Sequence, residues 1–159
     1  MIEVILAIKF AHMLGVAVMF GTWLAIAAFM LLAHCSRNTS VVALTSQFIV
    51  RIEMVVMIAA VVLQPISGFP LAYAIGLDPL GELWLVVSIA AYGVVVLCWL
   101  TAVVIEFRIR KLTREAALNN VPLPAAYKTL FRVWAALAVP ILAGMVALFA
   151  LMVWQPQWD

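Results

Sequence analysis

Residues 4–35 read VILAIKFAHMLGVAVMFGTWLAIAAFMLLAHC, an apolar run interrupted before its end only by Lys9, His12 and Thr22. At about 1.5 Å per residue, a helix of this length more than crosses the roughly 30 Å of hydrocarbon in a bilayer. A secretory leader is a poorer reading, because the run is about twice the length of a signal core and has no basic segment before it. Its tail, LLAHC, has the outline of a lipoprotein cleavage site, but His34 stands where a small residue is needed. The stretch therefore reads as a retained transmembrane helix.

The rest of the chain extends the pattern. Hydrophobic residues make up 69% of the 159 and charged residues 10%, whereas soluble domains average roughly 45–50% and 25%. A soluble core of this size has no room for that much apolar side chain. Hydropathy marks four spans, at about 4–33, 47–75, 83–107 and 127–155, within a single domain covering 1–159. Nothing alternates like a barrel strand, and backbone groups in lipid must be satisfied within the segment, so the expected fold is an all-α bundle of four transmembrane helices. The third connection is longer and predicts a basic helical hairpin over about 107–130, where Glu106 with Arg110 and Lys111 with Glu115 stand four apart and favour helix beyond the bilayer.

Basic residues set the orientation. Arg37 lies in the first loop and Arg51 just beyond it, while Arg108, Arg110, Lys111, Arg114, Lys128 and Arg132 crowd the third; the second loop, GLDPLGELW, carries only Asp78 and Glu82. The positive-inside rule then puts the first and third loops in the cytoplasm and both termini outside. Trp84, Trp154 and Trp158 would form an outer aromatic belt. The basic loop is expected to be a solvated, orienting face; no nucleic-acid partner is indicated. Cys35 and Cys98 stand alone and are read as packing residues, not a disulfide or thiolate site. Trp23-Leu24-Ala25 and Trp99-Leu100-Thr101, with Pro65 and Pro140, give only a weak echo between the two halves.

Polar residues at lipid depth normally face the bundle, because exposure to hydrocarbon is costly. Helical phase at about 100° per residue groups Glu53, Met57, Ala60 and Gln64 on one stripe of the second span, with Gly68 near its line, and Trp84, Ser88, Ala91, Val95 and Cys98 on one stripe of the third. In the first span, Ala7, Ala11, Gly15, Val18 and Thr22 form a small-residue seam suited to close helix approach, within the bundle or in a homo-oligomer. Lys9, His12, Val16, Met19 and Trp23 form the neighbouring stripe. Lys9 can snorkel to the outer interface, but His12, about 12 Å down the helix, needs a hydrogen-bond partner or a metal. Both readings of His12 stay open on the residues alone. His34 lies about 33 Å away along the same helix and is expected to be an exposed helix end. Glu53 and Arg132 are expected to pair near the cytoplasmic ends of their helices; a proton or ion path through Glu53 and Gln64 is the more ambitious alternative.

The segments KFAHMLGVAVMFGTWLAIAAFMLLAHCSR, VVLQPISG, CWL, PLPAAYKTLFRVWAALAVP and LMVWQP together resemble a bacterial family of predicted integral membrane proteins of unknown function, over essentially the whole chain. More distantly the chain resembles the HemJ-type membrane protoporphyrinogen oxidases and membrane proteins of copper resistance. That resemblance implies a haem-associated histidine at His12, followed by the aromatic-glycine pair Phe20-Gly21. In LWLVVSIAAYG, Trp84, Tyr92 and Gly93 match the oxidases' third-helix pattern, but Ser88 stands where they carry a functional lysine. The departure tells against protoporphyrinogen oxidation and leaves the haem half of the resemblance.

The expected function is thus a small haem b-binding protein of the bacterial cytoplasmic membrane with a redox or electron-transfer role, working with a quinone or a redox partner protein. His12 would be the metal ligand. Met19, Met57, Met145, Lys9 or His12 of a second copy would supply the other axial position, Trp84 and Tyr92 would pack the ring, and Gln64 would bond a propionate or a quinone. A HemJ-like enzyme of porphyrin metabolism and a cofactor-free membrane subunit or assembly factor are the alternatives. No metalloprotease helix, phosphate-binding glycine loop or nucleophile elbow is present.

Overall fold

The computed structural model describes residues 2–156, and over them the chain is helical and without strands. Helix α1 runs Ile2–Cys35, α2 Thr39–Ile52 and, after a π-helical turn at Glu53–Met57, α3 Ile58–Ala74; α4 runs Leu83–Leu118 and α5 Ala125–Trp154. The segment α2–π–α3 is one continuous span, so four helical spans of 34, 36, 36 and 30 residues cross the molecule. This is the four-helix membrane bundle that hydropathy predicts.

Two boundaries differ from the expectation. The second span begins at Thr39, not near residue 47, because the side-chain oxygen of Asn38 accepts from the backbone N–H groups of Ser40 and Val41. A cap of this kind starts a helix whatever its hydropathy. The third span runs to Leu118, within the expected hairpin, and stops where Asn120 takes φ 53°. At the far end of α3, Gly76 takes φ 81°, and the N–H of Leu77 reaches back to the carbonyl of Ala72 at 2.9 Å. That closure favours glycine, and it turns the chain towards α4.

The surface is inverted relative to a soluble protein. Phe10, Phe29, Leu32, Val55, Leu97 and Phe149 are exposed, while His12, Ser46, Glu53, Gln64, Ser67, Ser88, Glu106 and Thr113 are buried. Apolar side chains outward and polar ones inward is the arrangement a hydrocarbon solvent selects. Within the bundle α4 packs along α5 and α2, and α1 packs chiefly along α3. Lipid offers no hydrophobic drive between helices, so close approach matters. A Cβ on Gly15 would overlap the Gln64 amide, and one on Gly144 would overlap Val95. Pro65 has no N–H to give the Val61 carbonyl, and the hydroxyl of Tyr92 supplies the missing donor at 2.6 Å, tying α4 to α3.

The predicted stripes face inward with two shifts. On α1 the buried line is His12, Gly15, Met19, Trp23, Ile26, Met30 and Ala33. Gly15 is thus the one member of the small-residue seam on that line, and Ala7 is exposed. On α4 the line runs Trp84, Ser88, Val95, Trp99, Ala102, Glu106, Ile109 and Thr113, with Ala91 and Cys98 half-buried beside it. Cys98 packs against the core as expected, whereas Cys35 is exposed. Trp84 is buried and so leaves the expected aromatic belt; Trp154 is exposed, and Trp158 lies outside the described residues.

Candidate functional site

Among the described residues, two buried polar centres carry ionisable side chains. The first joins α1 to α3. His12 Nδ1 lies 2.8 Å from Ser67 Oγ, and that hydroxyl is 2.6 Å from the Leu63 carbonyl and 3.3 Å from the Gln64 carbonyl. A hydroxyl has one proton, and the carbonyls of its own helix take it; the oxygen therefore accepts from Nδ1–H. In the neutral imidazole this places the lone pair on Nε2. Gly68 leaves room for the ring, since a Cβ there would stand 3.1 Å from His12 Cε1. Gln64 returns the contact, its amide nitrogen 3.4 Å from the His12 carbonyl oxygen.

The remaining residues named from the sequence are distributed around this centre. Met19 is buried two turns further along α1, and Met57 and Met145 are buried as well. Trp84 and Ser88 are buried at the start of α4, the Ser88 hydroxyl donating to the Trp84 carbonyl of its own helix at 2.8 Å. Tyr92 is bonded to Val61, less than one turn before Gln64. Lys9 is exposed, off the buried stripe that holds His12.

The second centre holds Glu53, expected on an inward stripe, together with Glu106 and tryptophan partners that the sequence did not announce. Glu53, on the first residue of the π turn, accepts from Trp99 Nε1 at 2.8 Å; Glu106 on α4 accepts from Trp134 Nε1 of α5 at 2.7 Å. Trp134 meets Trp23 of α1 edge to face, ring centroids 5.7 Å apart. Glu106 also lies within electrostatic reach of Glu53. All four spans thus contribute to one cluster. By rise per residue it lies about 16 Å along α1 from His12.

Two expected contacts and one expected free helix end give way to other partners. Glu106 does not pair with Arg110: it is 1% exposed and bonded to Trp134, while Arg110 lies 5.3 Å over the Phe107 ring. Glu53 bonds Trp99 instead of Arg132, which is exposed. His34 is not a free helix end. Its Nδ1 is 3.0 Å from the Tyr127 hydroxyl, and its ring stacks on Phe131 at 3.7 Å and 5°. The available signal for Glu106 was its phase: the stripe Trp84, Ser88, Val95 continues by steps of three and four through Trp99 and Ala102 to Glu106. The local spacing to Arg110 pointed the other way.

Four apolar spans with ionisable groups turned inward define a multi-pass integral membrane protein. A family model described as a predicted integral membrane protein, DUF2269, matches residues 6–156, and the chain belongs to that family. No curated protein and no solved structure matches it.

Proposed function

We propose that the protein is a small haem b-binding membrane protein with a redox or electron-transfer role, and that His12 is an axial ligand. The observation that carries the reading is the His12–Ser67–Leu63 relay. A histidine that binds a metal through one nitrogen characteristically donates its other N–H to a fixed acceptor, which sets tautomer and ring orientation. Ser67 is such an acceptor, and Nε2 is left with its lone pair. Gly68 fits the same role by admitting the ring where a Cβ would press on it. Bound haem would supply one-electron transfer at a potential set by its axial ligands and burial.

The chain's own residues do the positioning. Met19, Met57 and Met145 are the buried candidates for the other axial position within one chain, and His12 of a second copy is the alternative across an interface. Lys9, exposed on α1, is the less favoured candidate for that role. Gln64, already bonded to the His12 carbonyl, would stiffen α1 at the ligand as well as offer an amide to a propionate or a quinone. With the basic loops in the cytoplasm, this centre lies towards the outer face of a bacterial cytoplasmic membrane. Ser88, buried and bonded to its own helix where the resembling oxidases carry lysine, favours electron transfer over porphyrin oxidation.

A second reading has an observation of its own. The bonds of His12 to Ser67 and Gln64 to His12 also fix the register of α1 on α3, as a cofactor-free subunit would need. Haem titration into the purified protein separates the two. One haem per chain, bound by wild type and not by His12→Ala, is the expected result; equal, unsaturable uptake by both proteins would overturn the haem reading and leave the register role.

A further inference from the structure

The inner centre contains three buried polar atoms with no partner: Trp23 Nε1, Glu53 Oε1 and Glu106 Oε2. The residues that carry them are at most 1% exposed. Buried polar atoms are normally satisfied, so three in one cluster point to a missing ligand. One is an N–H donor and two are carboxyl oxygens. Water has the matching set, able to accept from the indole and donate to both oxygens, and three partners are typical of a buried water.

Water alone leaves the charge unsolved. The groups that meet the carboxyls are Trp99 from α4, Trp134 from α5 and the two acids themselves, and the charged group that acts on Glu106 is Glu53, not a base. Arg51, Arg108 and Arg132 are exposed, and Arg110 lies over Phe107. Two ionised carboxylates inside the bundle would be desolvated and mutually repelling; one shared proton removes the repulsion and leaves a single charge for the indoles and the water to solvate.

We propose that Glu53, Glu106 and Trp23 form an intramembrane site for one exchangeable proton and one water, in which Trp99 and Trp134 hold the carboxyls in place. The site requires no haem and does not rest on the role of His12. Its position at the start of a π turn is in keeping, since such turns recur at functional sites in helices.

The surroundings also give the site a direction. Towards His12 it is sealed by the buried apolar side chains Met19, Met57, Ala60 and Val95. Towards the basic end the buried Ile49 and Ile109 come first, and beyond them, seven residues from each carboxyl on its own span, Ser46 and Thr113 are buried and hydrogen-bonded at 2.9 Å. These hydroxyls are the polar step, about 10 Å away along the helices, through which the proton exchanges with the side that carries the basic loops.

Infrared difference spectroscopy of the intact protein in lipid nanodiscs tests this through the carbonyl stretch of a protonated carboxyl. Wild type should show the band at neutral pH, shifted by deuterium exchange and unchanged when sodium replaces potassium. Glu53→Gln and Glu106→Gln should each move it, because the two acids share one proton, and the double variant should abolish it. Trp23→Phe should remove the accompanying sharp O–H stretch of an ordered water, and Ser46→Ala with Thr113→Val should slow deuterium exchange of the band several-fold. No protonated band in wild type, a band indifferent to the single variants, or one displaced by an alkali cation would overturn the proposal. An unchanged exchange rate in the hydroxyl variant would overturn the assigned route.

Discussion

The two polar centres lie in the same bundle and are completed in opposite ways. At the outer one, His12 Nδ1, the Ser67 hydroxyl and the Gln64 amide form a chain that ends on backbone carbonyls, and glycines at 15 and 68 make the space. At the inner one, Trp99 and Trp134 satisfy one oxygen of each carboxyl and leave the other without a partner, as the Trp23 indole N–H also is. The outer centre is therefore closed within the protein except at one imidazole lone pair. The inner centre is framed rigidly around an unmet demand for a donor and an acceptor. A membrane bundle tolerates a buried polar group only where a partner exists, so the contrast separates polar groups that hold helices together from those that await a ligand.

Mutations can break that contrast in decreasing order of effect, each read as a change in unfolding free energy in mild detergent. Trp134→Ala should be the most damaging, at about 3–5 kcal/mol, because it removes a buried ring packed on Trp23 and also the donor to Glu106. A loss no greater than that of an exposed aromatic would mean the inner frame is not rigid. Gly15→Val should cost about 2 kcal/mol by forcing the Gln64 amide out of its place between α1 and α3. Ser67→Ala should cost about 1 kcal/mol by leaving Nδ1–H of His12 without its acceptor. Arg110→Ala should change stability by less than about 0.5 kcal/mol, since Glu106 does not depend on it. A larger effect there would restore the surface ion pair and undo the inner centre.

The spans were legible because length and hydropathy are nearly sufficient to define helices in lipid, and the inward faces because polar residues at lipid depth fix helical phase. His12 and Gln64 each stand on a stripe that polar residues mark as inward, and they meet. What failed was reading by local spacing. Glu106 and Arg110 stand four apart, yet the carboxyl belongs to the buried stripe and the guanidinium to the face over Phe107. The side chain of His34 has no partner nearer in the chain than Tyr127, so nothing local announced its packing. The start of the second span was hidden by polar residues that a hydropathy window trims, although Asn38 carries an ordinary capping signal. The π turn at Glu53–Met57 has no sequence signature of its own, and with it the frame around Glu53 went unread.

The most direct test of the central claim is the optical spectrum of the protein purified in mild detergent, oxidised and then reduced with dithionite, beside His12→Ala. A Soret band that moves on reduction and is lost in the variant is the expected result. Colourless wild type that stays colourless after haem is offered would contradict it, and would leave His12 as a bond between two helices.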